Sequence, residues 1–68
     1  MSESEDVFYV VSRADGTWVV NDPRTRTVRY WTLRSVVESW KNEWAPGGMI
    51  VQTTRAGIDR INEELKRA

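Results

Sequence analysis

The sequence predicts an α+β domain with an antiparallel sheet of three to four strands and two helices, in the order βββαβα. Three observations carry that expectation. Apolar, β-branched and aromatic residues alternate through the first half of the chain. Two turn signals interrupt them, Ala14-Asp15-Gly16-Thr17 and Asp22-Pro23-Arg24-Thr25. After Thr32 the apolar period changes from 2 to 3.6.

Taken in order, residues 1–6 carry Glu3, Glu5 and Asp6 without apolar periodicity, and are expected to be a flexible acidic tail before a single domain over residues 7–68. Residues 7–13 read as a strand. Gly16 can take the positive φ of a bulged turn, so residues 18–21 return antiparallel. Pro23 presets φ in the second turn, and residues 26–31 continue as a third strand. Three-residue loops at both turns would pair Val10 with Val20 and Val20 with Val28. Phe8, Val10, Trp18, Val20, Val28 and Tyr30 then share one face, and Tyr9, Val11, Arg13, Val19, Thr27, Arg29 and Trp31 share the other.

Thr32 can cap a helix over residues 33–44, where Leu33, Val36, Val37, Trp40 and Trp44 fall on one stripe. Ala45-Pro46-Gly47-Gly48 stops it. Residues 49–53 read as a fourth strand, and Thr54 can cap a last helix with Ile58, Ile61 and Leu65 on one side. Gly57 lowers the intrinsic stability of that helix by up to ~1 kcal/mol, so the helix is expected to depend on docking.

Composition narrows the function. A chain of 68 residues buries only roughly 60% of its unfolded surface, which leaves little room for a deep pocket. It has no cysteine and no histidine. Disulfides, thiolate metal sites and the commonest general base are thereby excluded, and neither a metal nor a cofactor is expected. The longest apolar run, residues 7–11, is far short of the ~20 residues of a membrane helix. The chain reads as a soluble, cytoplasmic protein without membrane contact.

Formal net charge is zero, but it is unevenly spread. Glu3, Glu5 and Asp6 precede a segment in which Arg13, Arg24, Arg26, Arg29 and Arg34 outnumber Asp15 and Asp22. Arg24, Arg26, Arg29 and Arg34 flank Tyr30 and Trp31, a combination suited to gripping phosphates and bases and equally to anchoring a protein interface. A sheet with both helices on one side would leave Tyr9, Val11, Val19 and Trp31 uncovered. The expected binding residues are therefore Arg29, Trp31, Tyr9 and Arg13, with Arg26, Arg24 and Arg34 beside them. If Trp31 were interior, the register would be shifted by one, and Arg26 and Tyr30 would mark the face instead.

Asp15 and Asp22 sit at turn positions that favour Asp for backbone hydrogen bonding, and with no base or metal set beside them they do not suggest catalysis. Gly47-Gly48 precedes a strand and lacks a following Lys-Ser/Thr, so it reads as a breaker and not a phosphate loop. The expected function is a non-enzymatic protein-binding module, of the regulator or inhibitor kind that phages and other mobile elements encode. The alternative is a nucleic-acid-binding domain whose strand arginines take phosphates while Tyr9 and Trp31 stack bases. Zero net charge weighs against it. A homodimer through the uncovered face would hide the same side chains.

Overall fold

The computed structural model describes residues 7–67; the acidic tail expected over residues 1–6 lies outside them. Six elements follow in the order β1 (Phe8–Ser12), β2 (Val20–Asp22), β3 (Thr27–Val28), α1 (Arg34–Trp44), β4 (Met49–Thr53) and α2 (Arg55–Arg67). The strands form two antiparallel pairs, β1 with β4 and β2 with β3, in place of one continuous sheet. The pairs are stitched together by isolated bridges, Ser12 with Trp18 and Tyr9 with Trp31.

Turn chemistry explains the first half. Gly16 takes φ +89°, and the Asp15 carboxylate accepts from both the amide and the hydroxyl of Thr17, at 3.0 and 2.6 Å. In the second turn Asp22 accepts from the Arg24 amide at 2.9 Å. Arg26, expected as the first residue of a strand, closes that turn in the left-handed region at φ 52°. Val20 and Val28 are partners as expected, with a bulge between Val20 and Asp22. Ser12 opposite Trp18 lies on the diagonal that would also align Val10 with Val20. The ladder ends before that, and Val10 pairs with Val51 of β4.

β1 is the centre of the molecule because both its edges are used. Tyr9 exchanges two bonds with Trp31, the Val11 carbonyl accepts from the Val19 amide, and the Arg13 amide donates to the Thr17 carbonyl. By alternation the amides and carbonyls of Phe8, Val10 and Ser12 bond to β4, opposite Thr53, Val51 and Met49.

Among the side chains that pack into clusters the even and odd face groupings hold, but the expectation that both helices share one side does not. Phe8, Val10 and Val28 pack with Ile58 and Ile61 of α2, and Trp18 lies against them. Val11, Val19 and Trp31 pack with Val37 of α1 and Ala45, with Tyr9 and Trp40 alongside. Successive residues of a strand point to opposite faces, so the two helices sandwich β1. Trp31 is only 8% exposed. Its burial requires no register shift, because α1 covers the face expected to be bare.

The helices depart from expectation at their ends. α1 begins at Arg34 with Leu33 as its cap residue and no side-chain capping bond, so Thr32 does not serve. Of the expected stripe only Val37 is buried and Trp40 half-buried, while Leu33, Val36 and Trp44 are exposed. Thr54 does cap α2, accepting from the Gly57 amide at 3.4 Å. Gly57 has a packing reason as well: a Cβ there would collide with the Thr53 hydroxyl.

Candidate interaction surface

The segment from Arg29 to Val36 joins the β-structure to α1, and its alternation decides what each side chain does. Trp31 must turn inward, since its amide and carbonyl bond to Tyr9 at 2.9 and 2.8 Å and its ring meets Trp40 at 5.1 Å. Tyr30, one residue earlier, turns to the other face and lies edge-on to Phe8, with centroids 5.2 Å apart. Tyr30 is nevertheless exposed, because α2 reaches Phe8 and Val28 but does not cover it.

Arg29 is exposed and lies over the outer side of the tryptophan pair, its guanidinium carbon 5.1 Å from the Trp31 ring centre and 5.5 Å from that of Trp40. The rings thus hold a cation in a fixed place at the surface. Two shallow hollows meet at Tyr30. One, of about 310 Å³, is lined by Asn21, Val28, Arg29 and Tyr30. The other, also about 310 Å³, is lined by Tyr30, Trp31, Thr32, Leu33 and Val36. Leu33 is 62% exposed and Val36 47%.

The expected binding residues are only partly gathered. Arg29, Trp31 and Tyr9 adjoin one another, although Trp31 contributes mostly from beneath. Arg13 lies at the other end of β1, beyond Ser12 and about 13 Å along the strand from Tyr9, where Arg13, Asp15 and Trp44 line a separate hollow of about 290 Å³. Arg24 and Arg26 belong to the second turn. Arg34 stands on the first turn of α1, and its Nε donates to Glu38 at 3.1 Å. The arginines of the sequence therefore do not form one basic stripe.

Helical spacing alone places Leu33 and Val36 in the core, and the structure exposes both. The signal that separates Val36 from Val37 is angular: the two lie about 100° apart around the helix, and only Val37 faces the cluster beneath α1.

Asp15 has its carboxyl held below the ordinary value by the Thr17 hydroxyl and then the Thr17 amide, a consequence of its turn. Among the described residues there is no cluster of metal-ligating side chains, no buried charged group, and no helix long and apolar enough to cross a membrane. Comparison with known proteins finds no family model, curated protein or solved structure that matches the chain.

Proposed function

We propose that this chain is a non-catalytic protein-binding module of the regulator or inhibitor kind. Its contact surface is the rim where β3 runs into α1: Arg29, Tyr30, Leu33 and Val36, backed by Trp40. The observation that supports this reading is the contiguity of exposed Tyr30, Leu33 and Val36 around one hollow, with a ring-stacked arginine at its border. Aromatic and guanidinium groups held in place lose little freedom on contact, which is what an interface centre needs. The dispersal of the other arginines and the zero net charge favour a protein over a nucleic acid.

The test is capture from cells that make the protein, comparing the unaltered chain with Val36→Asp. Val36 is the third residue of α1, a position where a carboxylate suits the helix dipole, so the variant should fold. The unaltered chain should retain a nuclease-resistant protein partner, and the variant at least about tenfold less of it. Equal retention by both would overturn the surface. Loss on nuclease treatment, with a salt slope of about −3 or steeper, would assign the function to nucleic acid instead.

A further inference from the structure

The two outer edges of the β-structure are treated differently. On β3 the Val28 amide points away from β2 and donates to the Asn62 side chain of α2 at 2.7 Å, and the paired strand β2 is bulged. These are the usual means by which a sheet edge is closed to strangers. β4 has neither. It pairs with β1 in unbroken register over five residues, Met-Ile-Val-Gln-Thr, and contains no charge, proline or bulge.

Alternation fixes which of its groups are free. Met49, Val51 and Thr53 bond to β1, so the amides and carbonyls of Ile50 and Gln52 point outward. No other element pairs with that edge among the described residues. Each helix packs against one face of β4, which leaves the edge between them open.

We propose that β4 pairs with β4 of a second copy of this chain, antiparallel about a two-fold axis at Val51. In that register Ile50 of each copy stands opposite Gln52 of the other, and two hydrogen-bonded pairs exchange four bonds, using every free group with none left over. Val51 meets its own counterpart in the closer, non-hydrogen-bonded position, where β-branched pairs are favourable, and Met49 falls opposite Thr53. No like charges are brought together, since the strand has none. An uncharged strand in unbroken register can face its own copy without repulsion, which favours a second copy as the occupant. Trp31 bonds to the opposite edge of β1 from β4, so the dimer leaves the proposed partner surface at Tyr30, Leu33 and Val36 on the other side.

A contact one short strand long lies below the ~1,200 Å² of stable complexes, so the dimer is weak and forms at high concentration. Sedimentation equilibrium from about 20 µM to about 1 mM tests it by mass action. The mass should rise from 7.9 kDa towards twice that value, and the Ile50 and Gln52 amides should gain exchange protection over the same range. Gln52→Pro should abolish the rise, because proline lacks the donor yet fits an edge position whose amide faces outward. A mass that stays monomeric throughout would overturn the proposal, as would a dimer that survives Gln52→Pro or protects amides other than these two. Should the proline variant fail to fold, exchange on the unaltered chain decides alone: protection confined to Ile50 and Gln52 supports the strand pairing, and its absence at high concentration overturns it.

Discussion

Arg29 and Arg34 show how differently two arginines of one segment can be used. Both are exposed, and Arg34 makes the more familiar contact, an i,i+4 pair with Glu38 at 3.1 Å. Such exposed pairs contribute about 0.3–0.5 kcal/mol. Arg29 instead covers the faces of two aromatic rings, each worth about 0.5–1 kcal/mol at an exposed site. Arg29→Ala should therefore cost about 1 kcal/mol and Arg34→Ala less than half of that, measured as denaturant midpoints. Equal losses would mean that the Arg29 stacking is not formed in solution. The sequence shows that Arg29 and Trp31 share a face, because strand alternation is a two-residue rule. It does not show that Trp31 is interior, since that depends on which side α1 returns to after Thr32.

At the scale of elements, α2 carries a local conflict that packing explains. Alanine in a helix interior is favoured over glycine by up to ~1 kcal/mol, so Gly57 looks like a defect in sequence. The Thr53 hydroxyl occupies the space a Cβ would need, because Thr54 caps α2 directly after β4 and brings strand end and helix start together. Gly57→Ala should destabilise the protein despite the better propensity, and should destabilise it less in a Thr53→Ala background. A double-mutant cycle with a coupling below about 0.5 kcal/mol would contradict the steric reading.

Caps and breakers near α2 are legible in the sequence because they act within one turn of chain. The behaviour of α1 is not. Leu33, Val36 and Trp44 fit an apolar stripe as well as Val37 does, yet only Val37 joins the cluster of Val11, Val19 and Trp31, and the other three are exposed. Periodicity places core at all three of these exposed side chains, and two of them belong to the proposed contact surface.

At the scale of the whole molecule, the chain divides its apolar residues into two small clusters on either side of one strand, within extents of 38 × 29 × 17 Å. Each cluster closes only because a helix comes from a different part of the sequence, α1 from the middle and α2 from the end. The α+β class with two helices, and the alternation that separates Phe8 and Val10 from Tyr9 and Val11, follow from short-range periodicity and are readable from the residues alone. Placing the helices on opposite faces is a long-range choice that no local pattern records.

That placement moves the contact surface from the sheet face to the rim of α1, and one comparison tests it without any partner. Denaturant unfolding of Trp31→Ala and Val36→Asp is measured beside the unaltered chain. With α1 covering the odd face, Trp31→Ala should lose about 3–5 kcal/mol or fail to fold, while Val36→Asp should stay within about 0.5 kcal/mol. The reverse order, with Trp31→Ala tolerated and Val36→Asp unfolding the protein, would mean that α1 does not cover that face and that Tyr9, Arg29 and Trp31 are the open surface.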